Sequence, residues 1–164
     1  MSRTWTVVTA ELLEVIRAQY VLEWHGIHGI RHWERVLENG LRLAPETGAD
    51  IVVVEFFAAL HDACRWNDQR DPGHGERAAA LIATLDRSLV PLSAIQRELL
   101  AEACRTHTRG TATEDPTIAT CWDADRLDLL RVGIRPDPRY LVTAAAREPA
   151  VIAWAMERSR HVFT

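Results

Sequence analysis

The sequence of 164 residues predicts an all-α fold, a single helical domain spanning 1–164. Three observations carry this. Apolar residues recur at three- and four-residue intervals in several stretches, and nowhere with the alternation of a half-buried strand. Helix-start and helix-stop residues punctuate those stretches: Thr9, Asn39-Gly40, Pro91, Pro116 and Gly133. Finally, residues 51–62, IVVVEFFAALHD, form an apolar run suited to a buried helix.

In chain order, Thr9 caps an amphipathic helix over 10–24, with Leu12, Leu13, Ile16, Tyr20 and Val21 on its apolar side. A second helix covers at least 29–37, and Asn39-Gly40 reads as its end or a kink. The PETGAD stretch separates it from the central apolar helix. Residues 63–75 are polar and aperiodic, with Asp71-Pro72-Gly73 as turn chemistry, so a loop is expected beside the end of the central helix. Further helices are expected from Glu76, from Pro91, from Pro116 to Gly133, and over 138–147 and 149–162.

Composition narrows the classes of function. With 48% hydrophobic and 26% charged residues the chain is globular, and its net charge of -4 gives no broad footprint for nucleic acid or an anionic membrane. No apolar stretch approaches the ~20 residues of a membrane span, and the N-terminal residues lack an apolar signal core. Cys64, Cys104 and Cys121 form no CxxC pair and read as buried thiols of a reducing compartment. A cytoplasmic protein is expected.

The informative feature is His61-Asp62 at the end of the apolar run. Burying an imidazole and a carboxylate there without partners costs several kcal/mol, and a shared metal ion resolves the cost. Downstream, Asp123, Asp125 and Asp128 crowd one short segment, which also calls for a positive charge nearby.

The order H-x-x-R-V (from His32), A-L-H-D (ending at Asp62) and A-D-R-L-D (from Ala124) resembles the HD-domain superfamily of metal-dependent phosphohydrolases. The resemblance implies that His32, His61, Asp62 and Asp125 ligate one divalent metal, with Asp125 preferred to Asp123. His74, opening H-G-E-R-A-A, and His107, ending LLAEACRTH, match two further histidines of a subset that looks bimetallic. In that subset Asp62 would bridge two ions. Imidazole with carboxylate suits Mn, Fe, Co, Ni or Zn, whereas Mg favours more oxygen ligands. The expected reaction is hydrolysis of a small phosphorylated substrate, a phosphomonoester or phosphodiester such as a nucleotide. A di-iron oxygenase and a non-catalytic metal or nucleotide sensor are the alternatives on the same scaffold.

Roles for neighbouring residues follow. Asp62 and Arg65 are the catalytic candidates, Arg65 as a phosphate clamp where related motifs carry Lys or Arg. His28, one turn before His32, reads as a further ligand or a substrate group at the pocket mouth. Asn67 and Asp68 lie in the polar loop, where substrate contact competes with simple solvation. Arg35 is expected in a structural salt bridge, and Arg126 is expected to face away from the metal and pair with an acid. Trp33 and Trp122 read as core packing beside the ligands, and His161 as exposed. The sequence departs from the family at H-D-A-C-R, where H-D-I-G-K is usual.

Overall fold

The computed structural model describes residues 5–160, so His161 lies outside the described residues. Those residues form eight α-helices and no strand. They are α1 (Ala10–Gln19), α2 (Ile30–Thr47), α3 (Ile51–Leu60), α4 (His74–Thr84), α5 (Ala94–Thr106), α6 (Pro116–Arg126), α7 (Ala144–Arg147) and α8 (Pro149–Arg160). Two 3-10 turns, Leu129–Val132 and Pro138–Tyr140, lie between α6 and α7.

α3 is the central element because it is apolar on every side, which a helix can be only when surrounded. It packs on α2, α5 and α6. Burial of Phe56, Phe57 and Leu60 contributes about 1.5–3 kcal/mol each. Asp50 starts the helix by accepting from the amides of Val52 and Val53. The one acid within it, Glu55, accepts from the backbone amides of Thr6, Val7 and Val8 at 2.6, 2.6 and 2.9 Å, which fastens the segment before α1 to the core. A smaller apolar cluster joins Leu43 of α2 to Leu127, Leu141 and the inner face of α8.

The structure moves several expected boundaries. α2 does not end at Asn39-Gly40 but continues to Thr47, stopped by Gly48 at φ 75°. Asn39 is instead a buried bridge, donating to Ala124 O and accepting from Arg158. Gly40 allows close approach, since a Cβ there would lie 2.4 Å from Val54 Cγ1. α1 stops at Gln19 rather than 24, and the turn beyond it stacks Tyr20, Trp24 and Trp33 edge to face. The helix expected over 138–147 is interrupted because Asp123 captures the amides of Val142 and Thr143, and Thr143 then caps α7. No helix among the described residues is long and apolar enough to cross a membrane.

Candidate metal centre

Six side chains converge at one end of α3. His61 is its C-cap, and Asp62 follows directly. His32 comes from the first turn of α2, His74 opens α4, His107 ends α5, and Asp125 lies in the last turn of α6. Gly75 makes one of these meetings possible. A Cβ there would sit 2.3 Å from Cys104 O, so only glycine lets α4 come near enough to α5 to set His74 beside His107.

The hydrogen-bond partners fix the orientation of each ring. His61 Nδ1 lies 3.1 Å from the carbonyl oxygens of both Phe57 and Ala58. His32 Nδ1 lies 2.7 Å from Asp128 Oδ2, His74 Nδ1 2.5 Å from Asp71 O, and His107 Nδ1 2.7 Å from Cys104 O. These oxygens only accept, so each Nδ1 carries a hydrogen and each Nε2 is turned inward. His32 Nε2 and His61 Nε2 are 3.1 Å apart, and His74 Nε2 and His107 Nε2 are 2.8 Å apart. Two Nε2 atoms at that range need a shared proton or a metal ion between them.

Asp62 stands between the two imidazole pairs. Its Oδ2 is 3.7 Å from His32 Nε2 and 3.8 Å from His61 Nε2, while Oδ1 is 3.1 Å from His74 Nε2 and 3.8 Å from His107 Nε2. Asp125 Oδ1 joins the first pair at 3.3 Å from His32 and 3.7 Å from His61. Two groups able to hold a metal ion result, His32–His61–Asp62 and Asp62–His74–His107, with Asp62 common to both. Ligands about 2.1 Å from an ion stand about 3.0–3.4 Å apart in octahedral or tetrahedral arrangements. Three of the eight spacings (3.1, 3.1 and 3.3 Å) lie in that range, one is shorter at 2.8 Å, and four are longer at 3.7–3.8 Å, so the side chains would close by a few tenths of an ångström around an ion.

The electrostatics are those of the metal-free site, in which protons can occupy the inward Nε2 positions. Burial pushes the His61 imidazole down to about 3, against the opposing pull of Asp62 and Asp125, so it stays neutral and able to donate its lone pair. Burial pushes the Asp62 and Asp125 carboxyls up, but the surrounding imidazoles outweigh it and hold both well below the usual carboxylate range. His107 goes the other way: burial lowers it, yet the hydrogen bond to Asp62 and the Asp125 charge raise it overall.

The neighbouring residues are placed more specifically than their spacing implied. His28 is buried, with Nδ1 3.0 Å from Asp62 Oδ2 and Nε2 3.2 Å from Asp68 O, so it stands behind the carboxylate and not at a mouth. Arg65 is also buried. It donates to the carbonyls of Asn67 and Gln69, and its Nη1 lies 3.3 Å from His74 Nε2 and 3.6 Å from Asp62 Oδ1. The Asn67 side chain is exposed and closes its own turn by accepting from Gln69 N. Arg35 makes the expected salt bridge, donating to both oxygens of Asp128 at 2.7 and 3.0 Å. Arg126 differs from expectation: it donates to the carbonyls of His107, Gly110 and Tyr140 and to no acid among the described residues. Trp33 is fully buried in the core, donating to His28 O, and Trp122 is buried over Gly110.

One residue at the site had no role assigned from sequence. Asp128 is 1% exposed and gathers His32, both Arg35 nitrogens and the Ser159 hydroxyl, the last at 2.6 Å. Its signal was the acidic crowding of the A-D-R-L-D segment. Asp123, the third acid there, faces away and holds the 142–143 backbone. Compared with known proteins, the chain matches no family model, no curated sequence and no solved structure.

Proposed function

We propose that the protein is a metal-dependent phosphohydrolase of the HD-domain type, acting on a phosphomonoester or phosphodiester and using two divalent ions. The observation that carries this reading is the pair of inward-facing Nε2 atoms on each side of one shared carboxylate, Asp62. Six acceptor groups packed this closely have few physical uses apart from holding cations.

His32, His61, Asp62 and Asp125 would hold one ion, and Asp62, His74 and His107 the other. Such ions supply Lewis acidity at a phosphoryl oxygen and a water acidic enough to serve as nucleophile near neutral pH. The chain's own work is positional. Asp128 and the carbonyls of Phe57, Ala58, Asp71 and Cys104 hold the four rings in the required tautomer, as the outer partners of metal-bound histidines commonly do. Arg65 places a fixed positive charge at the His74–Asp62 edge, where it would meet an anionic substrate. The second group has only three protein ligands, which leaves room for water or substrate.

The test is release of phosphate or alcohol from p-nitrophenyl phosphate and bis(p-nitrophenyl) phosphate with Mn, Co, Ni, Zn and Mg. Turnover that disappears in His61→Ala and Asp62→Ala supports the reading. Metal retention with oxygen consumption and no hydrolysis of either ester would assign the scaffold to oxidative chemistry instead.

A further inference from the structure

The six clustered side chains are not equally enclosed. His32, His61, Asp62, His74 and His107 are 0–3% exposed, whereas the Asp125 side chain is 16% exposed. Asp125 and His107 both line a cavity of about 740 Å³ between the 107–111 loop and the 134–141 segment. They belong to different candidate groups, so one cavity borders residues of both. Its size is that of a site for a mid-sized organic ligand, which typically spans about 300–1,000 Å³.

The cavity is built, not incidental. Arg126 donates to His107 O and Gly110 O on one wall and to Tyr140 O on the other, so one guanidinium ties both walls to α6. Leu129, Ile134 and Tyr140 supply apolar surface, and Ile134 and Tyr140 remain 55% and 70% exposed. Four arginines line it, and two have their charge committed: Arg126 to carbonyls and Arg139 to Asp137. Arg109 and Arg135, one from each wall, are exposed and have no side-chain partner among the described residues.

We infer that this cavity takes the organic part of the substrate, and that the substrate carries a second anionic group, a phosphate or carboxylate, received by Arg109 and Arg135. The inference rests on the phosphohydrolase reading. It narrows the substrate class to phosphorylated organic acids and bisphosphates with an apolar or aromatic body. One phosphorus group would lie against the metal ligands, and the distal anion would lie between the two free guanidiniums.

Two phosphonates whose C–P bond resists hydrolysis separate these claims: benzylphosphonate and 4-carboxybenzylphosphonate, which differ only in the distal anion. Binding is measured by calorimetry on the full chain with its metal. The carboxylate should tighten binding about tenfold, the scale of one charge-assisted hydrogen bond. Arg109→Ala and Arg135→Ala should each bring that ratio below about threefold, with metal content and melting temperature retained. Arg87→Ala, at a position that does not line the cavity, should keep the ratio. Equal affinities in the unsubstituted chain, or a ratio that survives both cavity substitutions, would overturn the inference and leave the hydrolase reading standing. If metal-loaded protein binds neither phosphonate, both fall together.

Discussion

Replacing Asp128 by Asn probes the support of the candidate metal centre without touching a proposed ligand. The carboxylate accepts four side-chain hydrogen bonds: from His32 Nδ1 at 2.7 Å, Arg35 at 2.7 and 3.0 Å, and Ser159 at 2.6 Å. The carboxamide keeps the shape and one acceptor, but it must turn an NH2 group towards a donor and leaves Arg35 without its counter-charge. Breaking one side of a buried ion pair costs about 3–5 kcal/mol. At about 2–4 °C per kcal/mol for a chain of this size, the melting temperature should fall about 6–20 °C. Metal affinity should fall about 10–100-fold, because His32 loses the partner that fixes its tautomer and raises its basicity. Calorimetry reads the first quantity and competition with a chelator the second. Ser159→Ala removes one charge-assisted bond to the carboxylate and should cost about 1.5–3 kcal/mol while leaving metal affinity intact. If Asp128→Asn melts early yet binds metal within about twofold of the unsubstituted chain, Asp128 supports the fold alone and the reasoning about His32 is wrong.

Gly75→Ala brings a Cβ to 2.3 Å from Cys104 O, so α4 must retreat from α5, at a cost of about 1–3 kcal/mol. His74 would then part from His107, and metal analysis should show the loss of one ion and retention of the other. Glu55→Gln weakens three amide contacts to the segment before α1, and limited proteolysis should cut ahead of Thr9 sooner; an unchanged cleavage rate would refute that anchor. The metal-stripped protein should also be acid-sensitive. His61 is depressed to about 3 against a free value of about 6.5, so its contribution is complete above about 6.5 and is lost as pH falls towards 3. The depressed Asp62, Asp125 and Asp128 extend the loss below about 3.9. His107, which is raised, acts in the opposite sense: its contribution is present below about 6.5 and is lost as pH rises through its folded value. Thermal melts in chelator from about pH 7.5 to pH 4 should show a falling melting temperature, and a flat or rising profile would contradict these shifts.

Much of this molecule is legible in its sequence because local chemistry decides it. The Thr9 cap and Pro116 at the first helical position mark real helix starts, and the apolar run around Phe56 can only be a buried helix. The pattern from His32 to Asp125 named six residues that the fold brings together. What escaped were decisions made by distant partners. Asn39-Gly40 has the composition of a helix end, but contacts with Ala124, Arg158 and Val54 keep it inside α2. Asp128 bonds to Ser159, 31 positions away, and to His32, 96 positions away, and no local spacing reveals either. Arg126 was expected to seek an acid, yet three carbonyls of the converging loops satisfy its guanidinium first.

The central claim is that Asp62 joins two cation-binding groups. Metal analysis after equilibrating chelator-stripped protein with Mn or Zn tests it most directly. The unsubstituted chain should hold two ions, His74→Ala one, and Asp62→Ala none firmly, since that carboxylate belongs to both groups. A folded, unsubstituted chain that retains no divalent ion after equilibration with Mn, Fe, Co, Ni or Zn would contradict it.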